Sequence, residues 1–244
     1  MATEASRPAF YALSPGGWRD YVTLLHLPYT AWHLSYVAIG AALSAAFAWD
    51  RFLPTLAAFF LAVGVGAHAL DELNGRPLRT RIPGSVLVAL GAVSIAGAIA
   101  IGIAGALTVD PWLGAFVVAG GFIVVAYNLE LLGGLFHGDA WFALAWGSFP
   151  LVTAYFAVAG KLDLVAAVGA VFAYLLSRAQ RTLSTPVRDV RRRVTGVQGR
   201  IDRSDGSAEP ITAGLLVRAN EGALRALAGA TVALAVTLVL VRTL

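Results

Sequence analysis

His68, Asp71 and Glu72 stand at positions i, i+3 and i+4, so a continuing helix places an imidazole and two carboxylates on one face. That donor set can hold a divalent cation, and its oxygen ligands suit Mg²⁺. Arg76, Arg79 and Arg81 follow at once. Carboxylates trailed by arginines suit a diphosphate bridged by metal, because a planar guanidinium meets phosphate oxygens in pairs. The same residues also read as a capped helix end leading into a solvated basic loop. His68 lies deeper in the apolar stretch, where a polar group is costly, and this favours a site.

A second polar cluster runs through Ser177, Arg178, Gln180, Arg181, Thr182, Ser184, Thr185, Arg188 and Asp189. A third comprises Tyr127, Asn128, Glu130, His137 and Asp139. Arg178, Arg181 and Asn128 join the three earlier arginines as candidate substrate contacts. Glu130 serves equally well as a structural partner for a loop arginine. His33 lies within an apolar stretch, where a hydrogen bond between helices is the safer reading. The glycines at 64, 66, 120 and 121 are not followed by the Lys-Ser/Thr of a phosphate loop and read as close-packing sites.

The elements that position these clusters are set by hydropathy. The chain of 244 residues is 58% apolar and only 13% charged. Its mean hydropathy is +0.75, far from that of soluble domains. A spanning helix needs roughly 20 apolar residues. Seven stretches qualify, near 29–48, 53–70, 84–107, 112–128, 140–160, 163–178 and 223–241. Asp110-Pro111 separates the third from the fourth, and the last helix has room to begin near Thr212. The expected architecture is one all-α membrane domain spanning residues 1–244.

Fifteen of the 18 Lys and Arg residues fall on one side if the N-terminus is inside, leaving Arg51, Lys161 and Arg242 outside. Residues 1–28 then form a cytoplasmic segment, residues 179–211 form a partly mobile basic cytoplasmic loop, and the C-terminus faces out. All three polar clusters share the cytoplasmic face. The localisation expected is an integral protein of a prokaryotic cytoplasmic membrane. The basic balance (pI about 9.8) follows from this asymmetry and from attraction to an anionic leaflet, not from nucleic-acid binding, for which no soluble module is present. The absence of cysteine excludes disulfides and thiolate chemistry. No cleavable signal peptide is expected, since the first 28 residues carry no continuous apolar core.

These positions resemble the UbiA superfamily of intramembrane prenyltransferases. The segment Asp71 to Arg81 looks like the family's first Asp-rich motif with its trailing Arg-Thr-Arg. Gly138-Asp139, Trp146-Gly147, Pro150, Tyr155 and Gly160 resemble its fifth helix. Arg188-Asp189 followed by Gly196 looks like the second motif. The likeness covers roughly residues 20–200. Ala67, His68 and Gly75 stand where the first motif has Asn, Asp and Asp, and Arg192 or Arg193 stands where the second has a carboxylate. The resemblance implies ionisation of an isoprenoid diphosphate at the cytoplasmic face, with Mg²⁺ on His68, Asp71 and Glu72. Asp71, Glu72 and Asp189 would be the catalytic carboxylates, and Arg76, Arg79, Arg81, Asn128, Arg178 and Arg181 would bind substrate. The other implied reading is an inactive relative that binds an isoprenoid, quinone or pigment, or serves as an accessory subunit of a membrane complex. A transporter fits less well, because the polar groups gather at one face and are sparse at mid-membrane.

Overall fold

A computed structural model describes residues 7–244. The short helix α1 (Trp18–Leu24) turns at His26 into α2 (Leu27–Leu43). Then come α3 (Trp49–Leu73), α4 (Gly84–Thr108), α5 (Leu113–Asn128) and α6 (Asp139–Ala159). Helix α7 (Leu164–Arg193) and helix α8 (Ala213–Thr243) complete the bundle. Between them strands β1 (Arg200–Asp202) and β2 (Ala208–Pro210) form an exposed antiparallel hairpin, pairing Ile201 with Glu209.

Among the described residues four helices are long and apolar enough to cross a membrane: α3, α4, α6 and α8. The chain is thus an all-α membrane protein with one small polar hairpin. The expected seven crossings do not follow from length and composition alone. Helices α2 and α5 have 17 and 16 residues, and α7 is laden with arginine in its second half. Helix α6 is the central one: 67% of its apolar window is buried, against 17% for α4. The exposed Val88, Val93, Ile103 and Leu107 of α4 present a face suited to lipid.

The basic segment after α7 differs from the expected loop. Helix continues from Leu164 through Pro186 to Arg193, so residues 179–193 are ordered on α7. Asp163 caps its start, accepting from Val165 N at 3.0 Å and Ala166 N at 3.3 Å. Thirty residues make a rod of roughly 45 Å, longer than a bilayer core of about 30 Å. Its last turns carry Arg188, Arg191, Arg192 and Arg193. Helix α8 packs against α7, and Glu221 makes a buried two-pronged ion pair with Arg191. The far end is tied by Arg242, which donates to Ala42 O at 2.7 Å.

Close approach between helices rests on two glycines. A Cβ on Gly147 would lie 2.6 Å from Ala173 O, and one on Gly40 would overlap Leu151 O. Small residues there let α6 lie against α7 and α2. Polar groups seal the contact: Trp32 Nε1 donates to the Tyr36 hydroxyl at 2.7 Å, and Ser177 Oγ donates to the same oxygen at 3.1 Å. Two helices carry π-helical stretches, Phe60–Ala67 in α3 and Leu144–Ser148 in α6. Each widens the helix and shifts the phase of the side chains that follow.

Candidate functional site

At the end of the bundle where α3 and α5 finish and α7 projects, a chamber of about 670 Å³ opens. All four histidines of the chain line it. The sequence offers no local cue for this, because His26, His33, His68 and His137 come from four separate segments. His26 sits at the α1–α2 corner in a left-handed conformation, with φ 46°. Its ring stacks on His68 at 4.0 Å between centroids, and its Nδ1 bonds the Tyr11 hydroxyl at 3.0 Å. Burial, then the neighbouring His68 and Arg192, hold the His26 pKa well below the usual imidazole range. Burial also raises that of Tyr11, with Tyr29 adding to the effect. At neutral pH the pair is therefore an uncharged imidazole and an intact phenol.

The segment from Pro8 to Tyr11 closes one wall. Leu13 N donates to Thr23 Oγ1 at 2.9 Å, and Phe10 lies under the Arg225 guanidinium at 4.8 Å. The buried carboxylate of Asp20 accepts from Gly16 N and from Arg81 N, each at 2.9 Å. It thereby joins the N-terminal segment to the α3–α4 loop.

Helix α7 brings charge into this space. Arg181, Arg188, Arg192 and Arg193 all line the chamber. Arg181 is matched by Asp139 at 2.8 Å, and Arg193 by Asp189 at 3.7 Å. Neither Arg188 nor Arg192 is in an ion pair with a carboxylate among the described residues. Arg188 donates instead to Ser184 Oγ at 2.9 Å and Thr185 Oγ1 at 3.0 Å, both neutral acceptors on its own helix. Burial, then Arg181 and Arg192, bring its pKa down to about 10, which leaves it charged at neutral pH. Three deeply buried atoms lack a hydrogen-bond partner among the described residues: His26 Nε2, His33 Nδ1 and the Tyr127 hydroxyl. All three residues line the chamber. His33 Nε2 faces Gln180 Oε1 at 3.3 Å, which assigns the proton to Nε2 and leaves a lone pair on Nδ1.

A second cavity, about 320 Å³ and almost wholly apolar, lies between α3, α4, α5 and α6. Val63 and Trp146 line both cavities. Each belongs to one of the two π-helical stretches.

The expected metal triad does not form. Among the described residues no group of three or more His, Asp or Glu side chains is placed to hold a metal ion. Glu72 is buried and turned away: Oε1 accepts from Thr80 N and Thr80 Oγ1, each at 2.8 Å, and Oε2 accepts from Leu78 N at 2.9 Å. The left-handed Arg76 and Arg79 fold the loop back onto it. The His68 Nδ1–H donates to Gly64 O at 3.1 Å, and its ring is engaged by His26. Asp71 alone of the three lines the chamber as a carboxylate. Glu130 is half exposed and lies 3.9 Å from His137. The donor set does not fit the Mg²⁺ implied by the resemblance, which needs several oxygen ligands about one point.

Of the other expected contacts, Asn128, Arg181 and Asp189 line the chamber and Arg76, Arg79, Arg81 and Arg178 do not. Arg76 donates to Ile82 O at 2.6 Å and closes its own loop. Arg79 is exposed and reaches Arg192 O at 3.3 Å. Arg178 lies 3.7 Å from Asp139. The side-chain amide of Asn128 donates to Val124 O at 2.7 Å. His33 bonds between helices, as its position suggests, but also faces the chamber. The chain matches no protein-family model, no curated protein and no solved structure.

Two outcomes check this geometry. Glu72→Ala removes the acceptor for three buried donors and should cost on the order of 3 kcal/mol of stability in metal-free buffer, read from denaturation in detergent. Unchanged stability would mean that Glu72 does not hold the loop. His26 binds no proton in the folded state where the unfolded chain, with its ordinary value of 6.5, does. Its contribution is therefore intact above that pH and lost as pH falls through it. Thermal stability should drop on acidification, and His26→Asn, which tolerates the left-handed backbone, should flatten the drop. Equal slopes in the two proteins would contradict the assignment.

Proposed function

We propose that this chain is a UbiA-like protein of a prokaryotic cytoplasmic membrane, with its N-terminus inside and seven helices embedded in the bilayer. In this reading it binds an isoprenoid diphosphate or a related anionic prenyl lipid. The observation that carries the proposal is that two unlike cavities lie side by side and share Val63 and Trp146 in their walls. One holds two guanidinium charges without carboxylate partners among the described residues, and the other is mainly apolar. A ligand filling both must have an anionic head and a long hydrocarbon tail. Association with other membrane proteins remains part of the proposal only as an accessory role for a lipid-binding subunit.

Metal-dependent ionisation of the diphosphate, the chemistry implied for an active transferase, finds a single chamber-facing carboxylate on α3. Binding is therefore the reading the geometry supports ahead of transfer. The tail contributes through burial, worth roughly 25 cal/mol per Å² of apolar surface. The head contributes through charge-assisted hydrogen bonds.

Geranylgeranyl diphosphate added to purified protein in nanodiscs should raise the melting temperature, with about 2.7 kcal/mol of stabilisation at a hundredfold excess over Kd. Geranylgeraniol and inorganic pyrophosphate should each do less. Gly121 faces the apolar cavity, and a Cβ there meets only Ile99 at 3.8 Å. Gly121→Leu should fit without a clash and fill part of the tail site, reducing the gain. A response to pyrophosphate equal to that of the lipid, unaffected by Gly121→Leu, would contradict the proposal.

A further inference from the structure

We infer that the chamber grips its anionic headgroup directly through Arg188 and Arg192, with no bridging divalent cation. This rests on the prenyl-lipid reading and specifies how that site works.

The inference begins with carboxylates. A bridging metal needs several oxygen donors converging on one point, and phosphate supplies only some of them. Glu72 is unable to contribute, since both its oxygens accept hydrogen bonds from the loop that follows. Asp189 lines the chamber but is half exposed and lies beside Arg193. Glu130 is also half exposed, beside His137. Asp71 is left, a single carboxylate lining the same chamber as Arg188 and Arg192.

The sign of the surrounding field points the same way. Arg188 and Arg192 lack carboxylate partners among the described residues, and both face the chamber. Two guanidinium groups attract a phosphate and repel a cation. Arg188 is held in place by Ser184 and Thr185, whose hydroxyls fix its orientation without neutralising it. A fixed planar fork suits two phosphate oxygens and loses little freedom on binding. His26 and His68, stacked and buried beside this charge, leave the field to the arginines. In this arrangement Asp71 opposes the ligand's charge; in a metal-bridged site it would anchor the ion.

That reversal makes the test decisive. Geranylgeranyl diphosphate binding is measured by calorimetry in phosphatidylcholine nanodiscs, once in EDTA and once in excess Mg²⁺. Direct recognition predicts similar affinity in both. Arg188→Gln and Arg192→Gln should each weaken binding about tenfold or more, with Arg188→Lys between wild type and Arg188→Gln. Asp71→Asn should bind as tightly as wild type or more tightly. The unliganded melting temperature of each variant shows whether it has folded, and Asp71→Asn keeps the size of the native side chain. Binding that requires Mg²⁺, or that Asp71→Asn abolishes in a folded protein, overturns the inference and leaves the lipid reading standing. Pyrophosphate that binds as tightly as the lipid in EDTA keeps direct recognition and overturns the lipid reading. No binding of either compound in either buffer overturns both.

Discussion

Positive charge in a largely apolar surrounding must be matched, and at Arg188 and Arg192 no carboxylate among the described residues matches it. Most other features of the chamber follow from that constraint. Helix α7 runs unbroken to Arg193 and so carries the arginines to the chamber. Neutral hydroxyls orient one of them. The Pro8–Tyr11 segment forms one wall of the chamber. Nearby arginines that are not needed there are neutralised: Arg181 by Asp139, and Arg191 by Glu221 in the contact that fastens α7 to α8.

Glu72 shows how one carboxylate can serve architecture in place of chemistry. An unpaired buried carboxylate would be costly. Here three donors of the following loop satisfy it, and the loop in turn adopts left-handed backbone at Arg76 and Arg79. Such conformations are unfavourable for arginine, and the hydrogen bonds to Glu72 offset part of the cost. The π-helical stretches act in the same spirit on a larger scale. They contain Val63 and Trp146, the residues that line both the charged chamber and the apolar cavity.

Much of the fold is legible from local signals. Thr212 caps α8 by accepting from Leu215 N at 3.1 Å, as its position before the last apolar stretch suggests. Asp110 caps the α4–α5 turn through Trp112 N at 2.8 Å. Hydropathy locates the long helices because the bilayer leaves few alternatives to helix. The convergence of Asp71, Asn128, Arg181 and Asp189 also follows from counting which helix ends share a face. The rest depends on long-range events. Spacing places Glu72 with His68, but only the returning loop decides that it is capped. Residues Tyr11 and His26 reach the chamber through a corner with no apolar periodicity of its own. Arginine-rich composition suggests a loop at 179–211, whereas residues 179–193 are helical and pack against α8 through Arg191–Glu221 and through Asn220, which donates to Leu183 O at 3.3 Å.

The most direct measurement is a crystal structure grown with geranylgeranyl diphosphate and Mn²⁺ together, the metal located by its anomalous scattering. The account predicts phosphate density between Arg188 and Arg192, a tail passing Val63 and Trp146, and no manganese peak at Asp71. A manganese ion bridging Asp71 and the diphosphate would contradict it.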